Sequence, residues 1–196
     1  MSDQEMPLFP LHTVLYPGGN LSLRIFEVRY IDMVRRCLRE DRPFGVVLID
    51  EGSEVGAGVK PHPVGTTARI VDSGLRSDGL LGIFTRGEQR FRLGTLRTQG
   101  DGLAMAEVEM LAHKPRINVA LEPYRQLLES LIENDPARFP AHARQMDDPV
   151  WVIYRLSENL PIPLGERQRI LEAECLDSAL AAIDAALVQI GFPPVE

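Results

Sequence analysis

Leu21-Ser22-Leu23-Arg24-Ile25-Phe26-Glu27-Val28-Arg29-Tyr30-Ile31-Asp32-Met33-Val34-Arg35-Arg36-Cys37-Leu38-Arg39 changes character midway. Residues 21–25 read as a short strand. From Glu27 onward, Tyr30, Met33, Val34, Cys37 and Leu38 recur at three- and four-residue steps, while Arg29, Asp32, Arg35, Arg36 and Arg39 take the other positions. That spacing predicts an amphipathic helix over residues 27–39, with Phe26 and Tyr30 on the apolar face of its start. A strand running directly into a helix makes the fold a mixture of α and β.

The flanks of this stretch are strand-like. Residues 8–11 form a short run separated from it by the turn Tyr16-Pro17-Gly18-Gly19, and proline is expected to keep that run at a sheet edge. Residues 44–49 are apolar with little alternation, as in a strand buried on both faces. Four further runs follow at 68–71, 80–85, 90–96 and 103–111. In the third of these, Phe91, Leu93 and Thr95 alternate with Arg90, Arg92 and Gly94, which places Phe91 inside and the arginines outside. Gly87 and Gly102 supply turn chemistry between runs. Short strands, glycine turns and one early helix predict a small, partly closed β-barrel.

The character changes again near Pro115. Residues 1–115 carry 14 basic and 15 acidic side chains, whereas residues 116–196 carry 7 and 13. The second part reads in helical periods between prolines. Pro123 suits a first helical turn, Tyr124, Leu127, Leu128, Leu131 and Ile132 mark one face, and Asn134-Asp135-Pro136 ends that helix. Asp148-Pro149 is an N-cap followed by proline at the first helical position. A third helix begins at Leu164. Leu176, Leu180, Ile183, Leu187 and Ile190 mark a last one, closed by Gly191. Two parts are therefore expected, a barrel over 1–115 and helices over 116–196, joined as one domain-sized unit of 196 residues.

Composition narrows the function. Net charge is −7, against a general polyanion binder, and 44% hydrophobic with 25% charged residues is ordinary globular composition. The acidic opening Met1-Ser2-Asp3-Gln4-Glu5 lacks the features of a secretory leader, so a cytoplasmic location is expected. Cys37 and Cys175 form no C-x-x-C pair, and His12, His62, His113 and His142 are scattered, so no metal site is expected. The chain has two lysines, Lys60 and Lys114, neither after a glycine, which excludes a P-loop and leaves no credible serine–lysine dyad. No G-x-S-x-G elbow occurs. Arg69, Arg76, Arg86, Arg90, Arg92 and Arg97 tint the strand region basic, but stacking aromatics are limited to Phe84 and Phe91, so these arginines are read as a solvated outer face.

Pro7-Leu8-Phe9-Pro10-Leu11, Val14-Leu15-Tyr16-Pro17-Gly18 and Leu23-Arg24-Ile25-Phe26-Glu27-Val28-Arg29-Tyr30 resemble the N-terminal substrate-binding domain of the Lon ATP-dependent proteases. Phe44-Gly45-Val46-Val47-Leu48-Ile49, Val64-Gly65-Thr66-Thr67-Ala68 and Arg90-Phe91 continue in the family's order. Leu160-Pro161-Ile162-Pro163-Leu164 with Glu166-Arg167-Gln168-Arg169 resembles its helical end, where the family usually has lysine at the position of Arg167. The resemblance covers nearly the whole chain and implies a PUA-like β pseudo-barrel with one early helix, followed by a C-terminal α-helical bundle. Gly100-Asp101-Gly102 departs from the Pro-Tyr that the family often carries before its final strand.

What the resemblance implies is non-catalytic binding: capture of unfolded or degron-bearing polypeptide, with adaptor work beside a full-length Lon protease as an extension and no cofactor. PUA-like barrels also serve RNA, which is the alternative. Phe84 and Trp151 are the candidate peptide contacts, because aromatic anchors supply large contact area at low entropy cost. They would border a groove between barrel and helices, near a turn at Gly87 and the linker 113–118.

Overall fold

The computed structural model describes residues 4–51, 60–112, 118–136 and 139–191. The chain divides into two compact units, Met1–Ala112 and His113–Glu196.

In the first unit the order is β1 (Gln4–Leu11), β2 (Asn20–Ile25), α1 (Val28–Glu40), β3 (Phe44–Glu51), β4 (Lys60–Pro61), β5 (Val64–Leu75), β6 (Leu81–Thr98) and β7 (Ala104–Met110). Strands β1, β7, β6, β5 and β3 follow one another, and a parallel β1–β3 pairing closes them into a ring. Strand β2 lies off the ring, antiparallel to β6.

The helix α1 forms where its period predicts. Tyr30, Met33, Val34 and Cys37 are buried on one stripe, and Asp41 ends it in the left-handed region at φ 47°. Side chains of this size contribute about 1.5–3 kcal/mol each when fully buried, enough to hold a helix this short. They pack on Phe9, Leu11, Phe44 and Val46, whereas Leu8 and Val47 join Met6, Phe91, Ala106 and Val108 in a second cluster. Strands β1 and β3 are thus buried on both faces. Phe91 fills the space that two glycines leave: a Cβ on Gly45 would lie 2.7 Å from its Cζ, and one on Gly65 would meet the same atom at 2.7 Å.

Three expectations change here. The runs at 80–85 and 90–96 are one strand, β6, and Gly87 is not a turn. Its N–H donates to the Gly19 carbonyl and its own carbonyl accepts from the Gly18 N–H, each at 2.8 Å, and a Cβ would collide with the Tyr16 carbonyl oxygen. The strand bends by bulges. Thr66 and Ala68 oppose Arg90 and Gly87, so β6 carries an extra residue there, and another between Leu93 and Leu96. That extra residue also resets the in–out alternation, which is why Arg90 is 5% exposed rather than on a solvated face. Finally, β1 does not lie along one edge of the sheet but bridges β7 and β3. Gln4–Pro7 pair with β7 and Leu8–Leu11 with β3, so in this register each half of the strand has a partner on one side, and two prolines are tolerated.

The second unit comprises α2 (Glu122–Asn134), α3 (Pro149–Asn159), α4 (Leu164–Glu172) and α5 (Leu176–Gln189). Asp148 caps α3 by accepting the Val150 N–H at 2.9 Å, with Pro149 in the first turn. The helix α3 packs against α2, α4 and α5 and is buried continuously from Trp151 to Ser157. The Tyr124 hydroxyl donates to Asp184 Oδ2 at 2.7 Å, joining α2 to α5, and burial followed by that carboxylate pushes the phenol's pKa up. Gly191, at φ 86°, follows the last helix. None of these helices is long and apolar enough to cross a membrane.

Candidate functional site

Strand β2 leaves the β6 ladder at Ile25, and the chain turns through Phe26 and Glu27 into α1. The turn brings the last residues of β2 beside Phe9 and Leu11 of β1 and Tyr30 of α1. A cleft of about 270 Å³ opens between them, lined on one side by all six residues from 22 to 27 and on the other by Phe9, Leu11 and Tyr30.

The floor is rigid. The rings of Phe9 and Tyr30 stack with centroids 4.1 Å apart, and the Arg29 guanidinium sits 4.8 Å over Tyr30. Arg29 also donates to the Gly102 carbonyl at 2.8 Å, pinning the β6–β7 turn to the start of α1, and pairs with Glu27 at 2.7 Å. The other charged group on the wall, Arg24, pairs with Asp78 at 2.9 Å. Both charges in the lining are therefore matched within the unit.

Its rim is apolar and open. Phe26, in the lining, is 59% exposed, and Val28, two residues further along the chain at the start of α1, is 72% exposed. Across β2 and β6 toward β5, Ile25, Leu81 and Leu75 lie opposite one another, running from the buried core out to Leu75 at 82% exposure. Exposed apolar surface continuous with a concave pocket is the mark of a contact surface.

Expectation placed Phe26 on the buried face of the helix. It precedes the helical N-cap, Glu27, so the 3.6-residue period does not govern it. Leu38, assigned to the same apolar face, is exposed as well. Phe84 stands on β6 directly opposite Ser22, 40% exposed, one strand in from the cleft on the outer face. Trp151 lies on α3 and is 8% exposed. The structure does not bring these two into one unit. Of the linker, residues 113–117 lie outside the described residues, and Asn118 donates through its backbone N–H to Asp177 Oδ1 at 2.9 Å.

Other chemistry is sparse. Among the described residues, no group of three or more His, Cys, Asp or Glu side chains could hold a metal ion. Burial pushes the Cys37 thiol up to about 11, while at the start of α5 a bond with Ser178 lowers that of Cys175. Several arginines of the strand region are engaged: Arg69 pairs with Glu88 and Asp41, and Arg97 with Glu5.

Comparison with known proteins agrees with this architecture. The Lon N-terminal domain protein from Xanthomonas campestris superposes with a TM-score of 0.73 at 34% identity, over 97% of this chain and 99% of that one. The N-terminal domain of a Mycobacterium avium complex Lon protease gives 0.69 at 16% identity, which supports the fold alone. In sequence, Lon protease 2 of Myxococcus xanthus is 27% identical over 191 residues, covering 92% of this chain and 23% of that protein. Protein cereblon of Danio rerio is 34% identical over 119 residues, 58% of this chain and 27% of that protein. The chain thus spans about a quarter of the length of these curated relatives. The fold is α+β, a PUA-like pseudo-barrel followed by a helical bundle. With the profile of the ATP-dependent protease La (LON) substrate-binding domain matching residues 5–188, across both units, the chain belongs to that family.

Proposed function

We propose that the chain is a non-catalytic recognition module that captures unfolded or degron-bearing polypeptide in the cytoplasm and presents it, as an adaptor, to a full-length Lon protease. On this reading it turns over neither ATP nor peptide. The observation that supports it is the cleft beside β2, with an aromatic floor, an exposed apolar rim at Phe26, and wall charges already matched. A matched wall favours uncharged, apolar segments, because an incoming charge would find no free counter-charge and would lose hydration. Phe84, opposite Ser22, serves as an outlying contact.

Salt separates this reading from RNA binding. Anisotropy of a dye-labelled, uncharged apolar peptide is measured with the full chain as salt rises from about 50 to 200 mM, beside a labelled single-stranded RNA. Peptide affinity is expected to hold within about twofold, since apolar burial releases no counterions. Tight RNA binding that collapses over the same range, with no peptide binding, would replace the proposal.

A further inference from the structure

We propose that the captured segment binds as an added β-strand along the free edge of β2. The inference rests on the cleft being the polypeptide site and states how the polypeptide is held there.

A ligand on the face of a strand touches every second residue, because side chains alternate across the sheet. Here four consecutive residues of the strand, 22 to 25, line the cleft, with Phe26 and Glu27 of the following turn beyond them, so the cleft runs along the strand's edge. Among the described residues, β2 pairs with β6 alone. Alternate residues of β2 direct their N–H and C=O groups to β6, and those between direct theirs to the other edge, into the cleft. Edge strands are blunted by proline, a bulge, short length or charged side chains, and the one charged side chain here, Arg24, is paired with Asp78. Asn20–Ile25 has no proline and no bulge, and its register with β6 is unbroken, unlike those of β5 and β7 with the same strand.

The occupant follows from the two faces that meet at this edge. On one, Leu23 and Ile25 continue the Phe9, Leu11 and Tyr30 floor. On the other lie Ser22 and the Arg24–Asp78 pair. An added strand would set one alternate set of its side chains on the apolar floor and the other beside this polar, charge-matched surface. The matching partner is an extended, uncharged segment, apolar at every second position. Backbone bonds supply affinity without regard to sequence and the alternate pockets supply preference, as in strand addition generally.

Backbone methylation tests the mode without altering the protein. The probe is a fluorescein-labelled eight-residue peptide alternating leucine and serine, with two derivatives, one N-methylated at its leucines and one at its serines. One set of amides would face β2 and the other would face away, so one derivative should lose about tenfold or more in affinity while the other stays within about threefold. Equal behaviour of the two derivatives, whether both bind or both fail, overturns strand addition and leaves side-chain capture standing. Failure of the unmodified peptide to bind overturns the recognition reading itself.

Discussion

Phe26→Ser should abolish most of the capture while sparing most of the fold. A phenylalanine side chain offers about 150–250 Å² for burial, and at 59% exposure roughly 90–150 Å² of it is free for a ligand. At about 25 cal/mol per Å² that area corresponds to roughly 2–4 kcal/mol, an upper bound because ordering costs oppose it. The expected loss of affinity is therefore about 10- to 100-fold. The covered remainder, roughly 60–100 Å², puts the cost to the fold at no more than about 1.5–2.5 kcal/mol. Affinity is read by anisotropy with the labelled apolar peptide. Folding of the first unit is read by hydrogen exchange at β3 and β6, because the single tryptophan reports on the other unit. Phe26→Leu, which keeps an apolar tip, should recover most of the binding. A folded Phe26→Ser protein that captures peptide normally would refute the assignment of the rim.

Other outcomes follow from the core and the thiols. Gly45→Ala should cost about 1–3 kcal/mol by overpacking, and Phe91→Leu should partly relieve it, since the atoms nearest the added Cβ belong to the Leu8 and Phe91 side chains, each at 2.7 Å. Gly65→Ala should resist the same suppressor, because there the Cβ also meets the Val46 carbonyl oxygen; denaturant midpoints of single and double variants decide this. Phe84→Ala should weaken peptide binding about two- to fivefold, whereas Trp151→Phe should leave it unchanged and destabilise the helical unit, as two titrations and hydrogen exchange along α3 and α5 would show. A lowered pKa raises the thiolate fraction at a given pH and a raised one reduces it. Iodoacetamide near neutral pH should thus modify Cys175, and modify Cys37 only on unfolding or far above its usual range, a difference read by mass spectrometry.

The legible parts of the fold were those in which side-chain period and backbone agree. The α1 stripe, the doubly buried β3, the Asp148-Pro149 helix start and the Gly191 stop all write their geometry into residue spacing. Continuity of β6 was hidden because its bulges shift the two-residue period and Gly87 has turn chemistry, although its lack of a side chain serves the close approach of the Tyr16–Gly19 turn. The bridging place of β1 was hidden by its prolines, whose usual meaning fails when a strand changes partner halfway. The site was less legible still. A strand edge is made of backbone groups, which every residue carries, so β2 has no compositional signature. Phe26 lies one residue before the cap, where helical spacing says nothing about direction.

Photo-crosslinking tests most directly whether apolar polypeptide enters this cleft. The alternating leucine and serine peptide, carrying a diazirine in place of its central leucine, is irradiated with the full chain and the adducts are sequenced by mass spectrometry. The account predicts adducts concentrated in residues 22–28 and at Tyr30, competed by unlabelled peptide and lost in Phe26→Ser. Adducts confined to the helical unit, or spread without competition over both units, would contradict it.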